Sequence, residues 1–188
     1  MSRKHKVHSL VNPYFITMTI ESWIPIFNNP NILNIAIASI IHCQSEKGLE
    51  IYAYCIMPSH IHMVCRATKE SLLSYIIRDF KKFTSKKITK YLNDNADTRN
   101  LHILAVFSSQ RNKKKSDQNY SVWQEGFQPI ELTSNYFIDQ KINYIHANPV
   151  TAGFVKRPQD YKLSSARNYA EMESLIEVVV SHGRWTTY

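Results

Sequence analysis

Residues 49–67 read LEIYAYCIMPSHIHMVCRA. Two β-prone apolar runs, LEIYAYCIM and HIHMVCRA, are parted by Pro58-Ser59, a pair that breaks a strand and marks a turn, so the stretch predicts a β-hairpin or two close strands. Side chains alternate across a strand, which places His60 and His62 on one face and Ile61 on the other. A same-face pair can grip one ion. Taken alone, the His-x-His spacing fits two hydrogen-bonded structural histidines equally well.

Working outward, PYFITMTI (13–20) is rich in β-branched and aromatic residues and predicts a first strand. Between it and the hairpin, Asn29 is placed to cap a helix, Pro30 stands at its first position and Gly48 at its stop. Beyond the hairpin, Leu72, Ile76, Phe80 and Phe83 recur at helical spacing from Ser71 to about Leu92, while Arg78, Lys82, Lys86 and Lys90 form an i, i+4 series on another face. LHILAVF (101–107) has the length of a strand, SSQRNKKKSDQN (108–119) reads as a polar loop, and YSVWQEGFQPIEL (120–132) as an irregular or edge strand because of Gly126 and Pro129. A helix capped by Thr133 or Ser134 is expected to end near Asn148, since Pro149 pushes the preceding residue out of helical geometry. The tail holds a helix-prone AEMESLIE (170–177). The order predicts an α+β chain: a ferredoxin-like, split βαβ, mostly antiparallel sheet with helices packed on it, forming one domain over 1–188 with a C-terminal extension from about 155.

The chain has 188 residues, 44% of them hydrophobic, and a net charge of +8. The charge is localised, with thirteen Lys and Arg against four acidic residues between Arg66 and Lys115. Such a patch suits a polyanion, and no segment pairs it with a membrane-insertion face, so nucleic acid is the expected partner. The N-terminal apolar stretch is broken by polar residues and nowhere do 18 apolar residues run together, which predicts a soluble, cytoplasmic protein. Cys43, Cys55 and Cys65 lack metal or redox spacing and read as reduced core residues. Two metal-enzyme patterns fail, since no Asp-His follows His62 as in metallo-β-lactamases and the helices exclude an all-β cupin; the paired His-x-Thr/Ser motifs of two-histidine phosphoesterases do not occur either.

YAYCIMPSHIHMVCRA, then LLSYIIRDFKKFTSKKI, VWQEGFQPIEL and INYIHANPVTAGFV, together resemble the single-tyrosine HUH transposases, in their REP-associated tyrosine transposase branch. The specific parts are M-P-x-H-x-H-x-V and Y-I-x-x-N-P-V, with a basic helix between them. The resemblance implies an HUH-endonuclease fold and a single-strand DNA nuclease and strand transferase that works through a 5′-phosphotyrosine link with bound Mg²⁺ or Mn²⁺. It places the nucleophile on Tyr144 and the metal ligands on His60, His62 and Asn148. The bacterial cytosol, among nucleoid DNA, is the location it implies, and it leaves a monomer or a homodimer open. Departures are Ser59 where the family usually has Asn, no histidine in the first strand, and an inserted loop around NKKKSDQN. On a helix, Tyr144 and Asn148 share a face, and an amide oxygen beside two imidazoles suits Mg²⁺ or Mn²⁺. Hairpin or other single-stranded DNA is expected to lie on Arg78, Lys81, Lys82 and Lys86 and on Lys113, Lys114 and Lys115. His146 reads as peripheral and Tyr136 as a second, weaker candidate nucleophile. Two other functions fit the same residues: a metal-dependent phosphodiesterase without a covalent step, and a non-catalytic single-strand nucleic-acid-binding module.

Overall fold

The computed structural model describes residues 12–68, 72–110, 119–126 and 128–180. Strands β1 (Tyr14–Thr19), β2 (Leu49–Met57), β3 (His60–Ala67) and the two-residue β4 (Ile130–Glu131) form one antiparallel sheet in the order β2-β3-β1-β4. That is the ferredoxin-like order, as the succession of elements predicts. Alternation sorts the side chains into two cores. Ile16, Met18, Ile61, Met63, Tyr54 and Ile56 face helices α1 (Pro30–Lys47) and α2 (Leu73–Asp94). Phe15, Val64, Ala53 and Cys55 face helix α4 (Asn135–Thr151). In β2 the register shifts between Ile51 and Ala53, so Tyr52 is an extra residue that joins Ala53 and Cys55 on the α4 side.

Local chemistry explains the helix ends. The Asn29 side chain accepts from the Asn31 and Ile32 amides at 2.9 and 3.4 Å, Pro30 needs no amide partner, and Gly48 closes α1 with φ 70°. Helix α4 is seated by Ile138, Ile142 and Ile145, each fully or nearly buried and worth roughly 1.5–3 kcal/mol. No described helix is long and apolar enough to cross a membrane. All three cysteines are free and buried, in keeping with core roles.

Three expectations need correction. LHILAVF is not a strand: it lies in helix α3 (Thr98–Ser109), where Asp97 caps the Asn100 amide at 2.6 Å and Asn100, Ile103, Leu104 and Phe107 bury one 3.6-residue stripe. The fourth strand is instead Ile130–Glu131, within the segment read as edge or irregular. Helix α4 does not stop at Asn148 but carries Pro149 inside its last turn, buried, before Gly153 turns out with φ 76°. A proline so close to the end sacrifices one amide bond, and burial of its ring offsets part of that loss. AEMESLIE is not helical either, since the chain leaves the short α5 (Ala166–Tyr169) through Glu171 at φ 55°.

The outer edge of β2 is covered by the chain's own later residues. Ile56 donates to the Leu163 carbonyl at 2.9 Å, the Ser165 amide to Tyr54 at 3.0 Å, the Tyr54 amide to Ser165 Oγ at 2.8 Å, and Val179 to Ile51 at 2.9 Å. His146 pairs with Ser165 Oγ at 2.9 Å and packs its ring against Tyr169, so it locks α4 to this edge segment. Expected to be peripheral, it is a structural tie.

Buried polar partners are as costly to break as apolar ones. The Trp123 indole N–H donates at 3.0 Å to Thr84 Oγ1, which itself donates to the Phe80 carbonyl, and both side chains are buried. Thr84→Val keeps the shape but orphans the indole N–H, so urea denaturation is expected to show a loss of about 1–3 kcal/mol. A variant as stable as the parent would mean that the indole finds another acceptor.

Candidate active site

The β1–β3 register puts Thr17 opposite His62 and Thr19 opposite His60, on the sheet face crossed by α4. The imidazoles stand edge to face, their centroids 4.7 Å apart. Each Nδ1 meets a hydroxyl: His62 pairs with Thr17 Oγ1 at 2.8 Å, and His60 with Ser59 Oγ at 3.3 Å. Those contacts fix the rings and leave each Nε2 without a hydrogen-bond partner among the described residues. Burial lowers the pKa of both rings, that of His62 to about 4, helped by the neighbouring His60 and Lys141. Both are therefore neutral near pH 7, with a lone pair to offer.

Helix α4 brings Tyr144 to the pair. Its ring lies 5.5 Å from His62 and 5.8 Å from Phe15, both edge-on, yet remains 48% exposed. Asn148, half-buried, lies one turn further along the same helix face, and its side chain makes no hydrogen bond among the described residues. Tyr136 is exposed at the start of α4, with its ring against Phe137 and no ring contact to either histidine. Sequence reasoning missed two neighbours. Lys141 holds its ammonium 4.9 Å from the Phe15 ring and 5.7 Å from that of Tyr144. Its place three residues before Tyr144 already signalled the shared face. Thr17 carried no such signal, because only the strand register brings it to His62.

Among the described residues no three His, Cys, Asp or Glu side chains gather as a metal cluster. A metal would rest on the two imidazoles and a neutral amide, a mixed N/O set, and the hydroxyls behind both Nδ1 atoms are the kind of support that orients histidine ligands. The donors present fit such an ion.

The basic residues divide. On α2, Arg78, Lys82 and Lys86 are exposed, opposite the stripe of Ile76, Ile77, Phe80 and Thr84 that faces the sheet, and so on the far side of the sheet from the histidines. Arg78 pairs with Asp79 and covers the Tyr75 ring. Lys81 turns inward instead. Its ammonium donates to the Gln124 and Gly126 carbonyls, each at 3.4 Å, and lines a cleft of about 300 Å³ with Thr17, Thr19, Gln124 and Gln128 at the β1–β4 edge. Lys113, Lys114 and Lys115 lie outside the described residues.

Residues 13–104 match the model of the family described as transposase IS200 like. The fold is similar to that of a REP-associated tyrosine transposase solved bound to a REP hairpin, with 17% identity and a TM-score of 0.66 over 99% of this chain and 96% of that one. A protein of Deinococcus radiodurans R1 described as a transposase is similar at 16% identity and a TM-score of 0.40, over 77% of this chain and 95% of that one. No curated protein matches in sequence.

Burial of the imidazoles has a consequence for pH. His62 and His146 both have pKa values lowered to about 4, chiefly by desolvation, whereas an unfolded histidine titrates near 6.5. Between these values the unfolded chain binds more protons, so stability is whole above about pH 6.5 and falls as pH drops toward 4. In the metal-free protein, NMR of the two rings is expected to show no titration until near pH 4. Midpoints near 6.5 would mean that the rings are solvated.

Proposed function

From the IS200-like pattern over residues 13–104, we propose that the protein is a single-strand DNA endonuclease and strand transferase acting on hairpin DNA. One observation carries the reading: Tyr144, half exposed, stands edge-on to His62 beside His60, on the sheet face that α4 crosses. Tyr75 and Tyr136 are exposed as well, but neither has a ring contact to the histidines, whereas Tyr144 is exposed and meets His62. A nucleophile beside an ion-binding pair must keep its hydroxyl accessible.

Mg²⁺ or Mn²⁺ held by His60, His62 and the Asn148 amide oxygen would polarise the scissile phosphate and offset the charge that gathers on its oxygens. The chain's own residues supply the rest. The Tyr144 oxygen attacks phosphorus, forming the phosphotyrosine ester as the bond to the 3′-oxygen breaks; the tyrosine proton goes to solvent and the 3′-oxygen leaves as a hydroxyl. Lys141 adds positive charge next to that phosphate. The ester conserves the energy of the broken bond, so a 3′-hydroxyl can reverse the step without a nucleotide cofactor. A REP hairpin is the DNA held by the structural neighbour, which supports a hairpin as substrate here. With Arg78, Lys82 and Lys86 on one side of the sheet and Tyr144 on the other, such DNA would pass the β1–β4 edge, where Lys81 lies.

Two experiments test this. Tyr144→Phe removes one oxygen and leaves His60, His62 and Asn148, so hairpin binding should persist while cleavage and the covalent protein band on a denaturing gel both disappear; EDTA, His60→Ala and His62→Ala should abolish cleavage too. Cutting by Tyr144→Phe without an adduct would favour a water-using phosphodiesterase, and an adduct in that variant would point to Tyr136. Separately, binding should weaken steeply with salt, since each neutralised phosphate releases roughly 0.7 counterions from a single strand. Replacing Arg78, Lys82 and Lys86 together should flatten that slope. An unchanged slope would make the stripe a solvated surface only.

A further inference from the structure

The segment between β1 and α1 holds an aromatic residue that the steps above do not use. Ile20, Ile26 and Phe27 are buried in this segment, whereas Trp23 leaves 58% of its surface exposed. Its ring meets that of His60 at 5.3 Å, close to edge-on. Ser22 and Trp23 both adopt the left-handed backbone region, with φ 53° and 56°. Residues bearing a Cβ adopt that region seldom and at a cost, and two in succession persist only where the surroundings hold them. Here they do. Ile20 donates to the Ser59 carbonyl at 2.8 Å, Glu21 to Val122 at 2.9 Å, and Trp23 back to Ile20 at 3.0 Å.

Apart from the contact with His60 the strain does not serve to bury the ring, which is mostly in water. What it produces is an open π surface, on a hydrogen-bonded backbone, beside His60 and on the same side of the sheet as Tyr144 and Lys141. Unpaired nucleobases stack on such surfaces whatever their identity, because every base has a π face. We infer that Trp23 is a stacking platform for one unpaired base of the DNA next to the cleaved phosphate, setting which nucleotide is presented to Tyr144. The inference rests on the reading that single-stranded DNA occupies the His60–Tyr144 face, and it makes Trp23 a positioning residue.

The test uses the full chain and hairpins selected from a random single-stranded DNA pool by binding to it. An abasic site is walked through the unpaired flanks, and affinities are measured by fluorescence anisotropy for the parent, Trp23→Ala and Trp23→Phe. One flank position should cost the parent about tenfold when abasic, the low end of base–aromatic stacking. In Trp23→Ala intact DNA should bind about tenfold more weakly and the abasic penalty at that position should shrink to under twofold, while Trp23→Phe keeps most of both. If Trp23→Ala does not fold, Trp23→Leu, apolar but without a π face, replaces it. A penalty that persists without the ring, or no flank position with a penalty, overturns the inference, as does a role confined to shielding His60, which would slow cleavage and leave the abasic coupling unchanged. Covalent adducts are scored on the same samples. Coupling without an adduct in the parent would overturn the covalent mechanism and leave Trp23 standing, an adduct without coupling would do the reverse, and a pool that yields no bound hairpin would overturn both.

Discussion

The register that sets Thr17 opposite His62 is the constraint on which the rest of the molecule depends. A strand slipped by one residue exchanges its faces, so the same slip that moved the imidazoles off the α4 side would drive Ile61 and Met63 out of the main core. The apolar positions thus hold the polar ones in place. Ile16, Met18, Ile61 and Met63 lie on one face with almost no exposure, and their alternates are Thr17, Thr19, His60 and His62. The bulge at Tyr52 lets β2 follow both cores without disturbing the β1–β3 pairing. The neutral state of the histidines follows from the same arrangement, since it is burial under α4 and the flanking aromatics that disfavours their protonation.

Charge is distributed differently. Helix α2 turns its apolar stripe to the core that α4 does not touch, so its outward lysines and arginine point away from Tyr144, while Lys141 supplies the cation at the site itself. The basic stripe and the histidine–tyrosine cluster thereby lie on different faces of one sheet. The β1–β4 edge, with its short last strand and the inward-turned Lys81, is where the two faces meet.

Much of this was legible because it is local. The basic stripe and the shared faces of His60 with His62 and of Tyr144 with Asn148 follow from periods of two or 3.6 residues, and the hairpin turn and the cap and stop of α1 from single residues, Pro58, Asn29 and Gly48. LHILAVF misled because a run of seven apolar or near-apolar residues satisfies both periods, and only the Asp97 cap and the Asn100–Phe107 stripe decide for a helix. Pro149 misled because the general cost of a proline is smaller in a last turn with a buried ring. Thr17 depended on strand register, the left-handed Trp23 on contacts to Ser59 and Val122, and the structural role of His146 on a serine 19 residues away. None of these long-range partners leaves a trace in the neighbouring sequence.

The hydrogen bonds between Tyr54 and Ser165 join residues 111 positions apart, and that separation imposes an order of events on a chain made from its N-terminus. The β1–α1–β2–β3 unit can collapse as soon as it is made. During that interval β2 presents a naked row of amides and carbonyls, and the histidines lie under no helix. The segment that covers the strand and the helix that carries Tyr144 are both made only after residue 134, tied to each other through His146. A nascent chain therefore gains Tyr144 beside the histidines and loses its aggregation-prone edge almost together, so that fragments ending before Ser165 combine an uncovered histidine face with an exposed strand.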